Sequence, residues 1–436
     1  MSVVAGTSYL ESLLSGRPQP PPAFSSSALA WLSQLRAKAV DRVGALTVPT
    51  TRDEEWRFTD ISPLTKISFQ PVRSAPKLAP AESERFALPE ASACLVFVDG
   101  VYAPQLSFNK AGIVVENLAA GVTKHGATIE PHLGRHAAFH GNVFAALNTA
   151  FLHDGALIIV PRNASVVAPL HLLYVATQKE TASYPRCLVV AESGSAVTVI
   201  EDYVSLQDTV YFTNAVSEFA LADNARVSHV RVQRDSGQAF HIANCAVSLA
   251  HASRYQSVSV ALGARISRYN LNVLQAAAGA ECTVDGLALI AERQLADTHT
   301  LIDHAQPHGV SRQLHKCIVG GAARAVFNGK IMVRHGAQLT DSSQSSRNLL
   351  LTGKAHVDTK PQLEIFADDV KCAHGATVGQ LDAEEVFYLK SRGLADDAAR
   401  NLLTYAFGAE VIDRIPIESL KRRLEQTVLE QTHRET

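Results

Sequence analysis

The stretch GARISRYNLNVLQAAAGAEC, residues 263–282, contains the same device twice. A glycine, which reaches φ > 0 without steric cost, is followed by a small residue and then, within two positions, by an apolar one. Such a unit turns a corner and starts a strand. It recurs at Gly194-Ser-Ala-Val, Gly336-Ala-Gln-Leu and Gly375-Ala-Thr-Val, and the steps from Gly263 to Gly279 and from Gly336 to Gly353 are 16 and 17 residues. Apart from Asn328-Gly329 there are neither Asn-Gly hairpin turns nor helical stretches between these corners, which favours stacked rungs of a β-helix over a sandwich or a βαβ sheet. A β-sandwich is the alternative.

Outward from this stretch, about 157–378 is strand territory. Short runs rich in Val, Ile, Leu and Thr follow one another, among them ALIIVP, HLLYVA, CLVVAE, AVTVIEDYV, RVSHVRV, YQSVSVAL and IMVRHGA. The chain before it reads as helical and irregular. Ser8-Tyr-Leu-Glu11 fits a capping box, Pro18, Pro20, Pro21 and Pro22 stop that helix, and after Ser25–Ser27 a second follows on Leu29, Leu32, Leu35, Ala39, Val40 and Val43. A further helix is expected over His132–Leu152. Beyond the strands, Asp382-Ala-Glu-Glu385 opens a helix that stops at Gly393. Asp396 and Asp397 lead the next, through Leu402, Leu403 and Phe407 to Gly408, and Pro416 starts a last one with the stripe Ile417, Leu420, Leu424, Val428. The expected organisation is a helical region at 1–90, a β-helix core at 91–380 with a helical insertion near 132–152, and a helical domain at 381–436. The tail's apolar stripes suit either a protein-docking surface or a cap on the end of the solenoid.

Composition narrows the function. Forty Lys and Arg against 42 Asp and Glu leave a charge of −2 on 436 residues, with none of the basic excess that a nucleic acid or an anionic membrane requires. No apolar run reaches the roughly 18 residues of a membrane span, and the start lacks a basic segment followed by a long apolar one, so a cytoplasmic protein is expected. Cys94, Cys187, Cys245, Cys282, Cys317 and Cys372 are far apart and read as reduced, mostly buried thiols.

Phosphate-loop, H-E-x-x-H, G-x-S-x-G and G-x-G-x-x-G signatures are missing. His132, His136 and His140 would share a helix face, but Gly134 weakens that helix and the trio reads as structural or solvent-facing. Cys372-Ala-His374 is more pointed, because residues two apart in a strand project to one face and thiolate plus imidazole suits iron, an iron-sulfur cluster or zinc. Two ligands make an open half-site that another subunit or a transient cargo would complete; a packed cysteine with a hydrogen-bonded histidine is the structural reading. A β-helix carbohydrate-active enzyme would need two facing carboxylates. Asp368 and Asp369 are adjacent and point apart, leaving Asp358, Glu364 and Asp368 as weak candidates.

DTKPQLEIFADDVKCAHGATVG from Asp358 and FYLKSRGL from Phe387 resemble the C-terminal signature of the SufB/SufD family of iron-sulfur cluster assembly scaffolds. TDSSQSSRNLLL from Thr340, LNTAFLHDGALIIVP from Leu147 and EEWRFTDISPL from Glu54 add to the resemblance, which runs in order from about 54 to 408. Ser346 stands where the SufB type carries a cysteine, and His374-Gly375 where it has His-Glu, so the chain is similar to the SufD type. The resemblance implies a right-handed parallel β-helix between helical regions, acting as a non-catalytic subunit beside a SufB-type paralogue and a SufC-type ABC ATPase. It further implies that His374, with Cys372 close by, serves a transient iron or iron-sulfur site at the subunit interface, with no tightly bound cofactor in the isolated chain. The ATPase would contact the C-terminal helices, at Phe387, Tyr388, Leu389, Arg392, Leu402, Leu403 and Phe407. A homodimer of the isolated chain, a β-helix enzyme and a purely structural subunit remain as alternatives.

Overall fold

The strand-rich region is a parallel β-helix of about eight turns in the computed structural model, which describes residues 2–19, 24, 29–72, 74 and 76–435. Successive strands alternate between two sheets. The first sheet carries Phe212–Leu221, Phe240–Leu249, Ile266–Gln275, Leu295–His304, Arg324–Val333 and His356–Ile365; the second carries Ala196–Ser205, Arg226–Arg234, Arg254–Ala261, Glu281–Ile290, Val310–Val319, Thr340–Leu350 and Val370–Gly379. One coil takes 26 residues from Phe240 to Ile266 and 32 from Arg324 to its partner His356. The 16-residue step from Gly263 to Gly279 is therefore half a coil, since the two glycines flank the single strand Ile266–Gln275.

The corners are made differently from the glycine pattern. Gly194 and Gly279 do hold φ of 71°, but the left-handed residue at other corners is Asn224, Ala252, Ala264, Glu292, His308 or Leu339, with φ between 50° and 71°. Each non-glycine there costs about 1 kcal/mol, which the ladders on either side offset. At Gly263 the requirement is room, because a Cβ would lie 2.2 Å from the Asp235 carbonyl oxygen. Gly375 lies inside the last strand.

The helices are α1 (Ser2–Ser15), α2 (Ala30–Ala45), α3 (Pro80–Glu84), α4 (Leu118–Ile129), α5 (Val143–Ala150), α6 (Ala383–Ser391), α7 (Asp396–Ile412) and α8 (Glu418–Glu435). Ser8 falls inside α1 and does not start it, while Pro20–Pro22 and Ser25–Ser27 lie outside the described residues. The helix expected over 132–152 is confined to α5, which Asn142 caps by accepting from the Phe144 and Ala145 N–H groups at 3.0 and 3.1 Å. Residues 130–142 turn because the buried Glu218 carboxylate takes the N–H groups of Gly134, His136 and Ala137 at 2.8–3.0 Å, and Gly134 has φ of 72°. His132 and His136 still touch, Nδ1 to Nε2 at 3.1 Å, but His140 is exposed and does not join them.

The tail divides in two. Ile417, just before α8, with Leu420, Leu424 and Val428 of α8 and Val411 and Ile412 of α7, is buried against Ile200, Val230, Val232, Val258 and Leu287 on the outer face of the second sheet. At roughly 1.5–3 kcal/mol per buried aliphatic side chain, this clamps the tail along the side of the β-helix, so the stripe neither caps the end nor stands free. Gly408 does not end α7; a Cβ there would meet Ile318 Cδ1 at 3.3 Å, so glycine lets the helix approach the sheet. Among the described residues no helix is long and apolar enough to cross a membrane.

Candidate functional site at the open end of the β-helix

Among the described residues, His356–Ile365 and Val370–Gly379 are the last strands of the two sheets, each paired on one side only. Residues at alternate positions of Thr340–Leu350 are buried inward: Thr340, Ser342, Gln344, Ser346, Asn348. Register carries this direction to the last strand, where Cys372 sits beside Ser342 and His374 beside Gln344. Both therefore face the lumen at its mouth.

They differ in environment. Cys372 is half-buried and packs with Leu363 and Val370 against Ile331, Val333, Ala337 and Ala367, and burial pushes its thiol pKa up. His374 is exposed. Among the described residues no group of three or more His, Cys, Asp or Glu side chains could hold a metal ion, so this pair alone makes no closed metal site. To act as a ligand the thiol would have to give up its proton, against the effect of burial.

The lumen behind the mouth is lined by neutral polar groups bonded to one another across rungs. Ser342 meets Ser311 at 2.6 Å, which meets His304 at 3.0 Å; Gln344 donates to Gln313 at 2.7 Å, and Gln313 to Thr300 at 2.9 Å. Ser346 is fully buried, accepts from Asn348 at 3.0 Å and lies 3.2 Å from Thr359 Oγ1. His315 stacks on Phe327 with centroids 4.5 Å apart, and burial brings its pKa down to about 3.

The quoted N-terminal motif lies across the outer face of the first sheet. Arg268 lies over the Trp56 ring at 3.9 Å and donates to Asp297 at 2.7 Å and the Glu55 carbonyl at 2.6 Å. Thr59 donates to the same carboxylate at 2.6 Å. Burial alone would raise Asp297, but Arg268 and His299 bring it down to about 2. Lys360 of the last coil pairs with Glu54 at 2.8 Å, tying this segment to the open end.

Two family models match the chain: one described as "SUF system FeS cluster assembly, SufBD core domain" over residues 174–407, and the SufBD protein N-terminal region over 22–172. The chain belongs to the SufB/SufD family. It is 43% identical over 408 residues to an iron-sulfur cluster assembly SufBD family protein of Synechocystis sp., covering 90% of this chain and 89% of that one. It is 35% identical to the iron-sulfur cluster assembly protein SufD of Escherichia coli (86% and 88% covered) and 28% identical to that of Bacillus subtilis (91% and 92%), which supports the SufD side of the family.

Of the tail residues that the SufB/SufD resemblance assigns to a partner, Phe387 (72%), Tyr388 (56%), Arg392 and Leu402 (44%) are exposed, while Leu389 and Leu403 are half-buried. Phe407 is engaged within the chain: Lys316 lies 4.4 Å above its ring and donates to its carbonyl at 2.8 Å. The carboxylates weighed for an enzyme do not converge. Asp358 and Glu364 share a face but lie six residues, about 20 Å, apart, and each is ion-paired, to Arg324 and Lys330 at 2.6 Å. A two-carboxylate glycosidase requires roughly 5–9.5 Å.

Sequence reading missed the buried charges. Glu201, His229, Arg231, Asp235 and His241 are buried, with His241 Nδ1 2.8 Å from Asp235 and Arg231 2.6 Å from His241 Nε2. For His229 and Arg231 the signal was polar alternation in RVSHVRVQR, which reads as a solvent face.

Proposed function

We propose that this chain is a non-catalytic subunit of a cytoplasmic iron-sulfur cluster assembly scaffold that pairs with a SufB-type paralogue through the open end of its β-helix. The observation that carries the reading is that end itself. Two unpaired strand edges form a ready surface for another chain's strands, and they flank the mouth toward which Cys372 and His374 face. The names of the Escherichia coli and Bacillus subtilis relatives support the assembly role.

Iron and sulfide are cargo in this reading. His374 offers an exposed imidazole to a ligand set that the second subunit completes, and Cys372 supports it from the half-buried position behind. A SufC-type ABC ATPase supplies nucleotide hydrolysis and contacts the exposed face of α6 and the start of α7 at Phe387, Tyr388, Arg392 and Leu402. Movement of those helices shifts the interface and so opens or closes the mouth.

The test is co-expression of the tagged chain with SufB-type and SufC-type partners, measuring the mass of the recovered complex with its iron and acid-labile sulfide. A defined assembly carrying both elements is expected, and His374→Ala should lower their yield while the assembly keeps its mass. A complex that forms normally and loads undiminished in the His374→Ala form would leave only the purely structural role. Recovery of a lone chain beside folded partners would contradict the reading.

A further inference from the structure

We propose that Cys94, His171 and Asp202 form a thiol-exchange site for small, weakly polar disulfides, at the end of the β-helix opposite the open mouth. It goes beyond the scaffold reading and does not depend on it.

The three residues come from neighbouring strands of the second sheet. Cys94 of Ala93–Val98 is in register with His171 of Leu170–Ala176, and Asp202 of Ala196–Ser205 lies one strand further, opposite Leu173. Sγ of Cys94 is 3.7 Å from Nδ1 of His171, and Nε2 of the same ring is 3.6 Å from Asp202 Oδ2, which Arg234 meets at 2.5 Å. The imidazole thus stands between a thiol and a carboxylate, an arrangement in which the carboxylate orients the ring and the ring can pass a proton to or from sulfur. Burial works against charge on His171, yet Asp202 and Cys94 together raise its pKa to about 9. Burial likewise opposes the charge of Asp202, and Arg234 and His171 draw it down to about 2.

A packing role alone does not explain this choice of residues. The neighbouring outward positions Val96, Leu173 and Val204 are filled by aliphatic side chains that bury without electrostatic cost. A cavity of about 260 Å³ opens over Cys94 and His171, walled by Leu88, Val96, Leu106 and Leu173, with Glu84 and the 42% exposed Phe108 at its rim. That lies just below the roughly 300–1,000 Å³ of drug-sized sites, and the wall is mostly apolar, so the ligand is small and weakly polar.

The wall also selects the reaction. Acyl transfer needs donors aimed at a developing oxyanion, but the Val96 N–H is already bound to Ser107 Oγ at 2.9 Å. Disulfide exchange develops no oxyanion. The Cys94 sulfur bonds to one sulfur of the disulfide as the reagent's S–S bond breaks, and the proton given up by Cys94 ends on the departing thiolate, with His171 Nδ1 within reach of the reacting sulfur. The disulfide itself is the electron acceptor.

The experiment treats the folded full-length chain with 4,4′-dithiodipyridine, following thiopyridone release and mapping the adducts by peptide mass. Cys94 is buried but lines the cavity, and the half-buried Cys372 serves as a control within the same molecule. The expected result is an adduct at Cys94 whose rate falls roughly 100-fold in His171→Gln, and in the same direction in Asp202→Asn, with the Cys372 rate unchanged. Should either variant unfold, the fully buried Cys187 and Cys245 would react as well, and the unmutated chain then decides: labelling at Cys372 with none at Cys94 overturns the proposal. Equal Cys94 rates in the unmutated chain and in folded variants overturn it too.

Discussion

At its N-terminal end the β-helix is covered by Ala93–Val98 with its antiparallel neighbours Val101–Tyr102 and Phe108–Asn109, and by Val114–Asn117 paired antiparallel to Ala156–Val160. At its C-terminal end, among the described residues, no strand lies beyond His356–Ile365 or Val370–Gly379. The lumen changes along the same axis. Near the covered end it is filled by Leu95, Phe97, Leu172, Tyr174 and Val199, and near the open end a bonded ladder of Ser, Thr, Gln, Asn and His shares it with an apolar cluster of Ile331, Val333, Leu363 and Cys372. The bonded polar ladder tolerates water where the strand edges are left unpaired. The covered end is closed by its own strands, and the open end leaves two edges free, the feature on which the proposed pairing rests.

Substitution should separate the two ends sharply. Leu172→Ala, fully buried at the covered end, is expected to cost about 2–5 kcal/mol in urea unfolding. Val378→Ala, 48% exposed at the open end, should change stability by less than about 0.5 kcal/mol. Comparable losses at both would break the comparison. Next in size, Val378→Lys places a charge on the unpaired edge and should weaken binding of the SufB-type partner by about 2 kcal/mol, roughly 30-fold, with the chain still folded; unchanged affinity in a titration would show that the edge is not the contact.

A smaller effect than that of Val378→Lys is expected on acid sensitivity. Burial lowers His315 to about 3 and His304 to about 4 in the folded chain, so their contribution is present above the unfolded value near 6.5 and is lost as pH falls from there. Asp202 and Asp297, drawn down to about 2, keep theirs until pH drops below about 4. His171, raised to about 9, gives its share in full below pH 6.5 and loses it progressively as pH rises from there through 9. His315→Phe should therefore remove roughly 1 kcal/mol of the destabilisation between pH 7.5 and 5.5, read from urea midpoints at the two values. A variant that tracks the unmutated chain would place the sensitivity elsewhere.

How much of this could be read in advance follows from which forces are local. The Val- and Ile-rich runs and their corners spell out strands, and the motifs from Glu54, Leu147, Thr340 and Asp358 carry the family; each has a definite job in the fold, as Trp56 under Arg268 and Ser346 beside Asn348 show. Direction was not legible. In RVSHVRVQR, alternation suggests valines inward and polar residues outward, yet Val230 and Val232 face out under α7 and α8 while His229 and Arg231 face the lumen. Both faces are buried, so alternation alone carries no sign. The 132–152 helix failed for a non-local reason: Glu218, over eighty residues away, takes the N–H groups that a helix would have used. Cys372 and His374 were legible as a same-face pair, but that this face is a lumen opening to solvent depends on the ladder ending there.

The most direct test of the central claim is hydrogen exchange of the free chain against its complex with the SufB-type partner. Amides of Val370–Gly379 and His356–Ile365 should exchange quickly in the free chain and become strongly protected in the complex, with the covered end unchanged. Protection appearing elsewhere while those two strands exchange as before would contradict an interface at the open end.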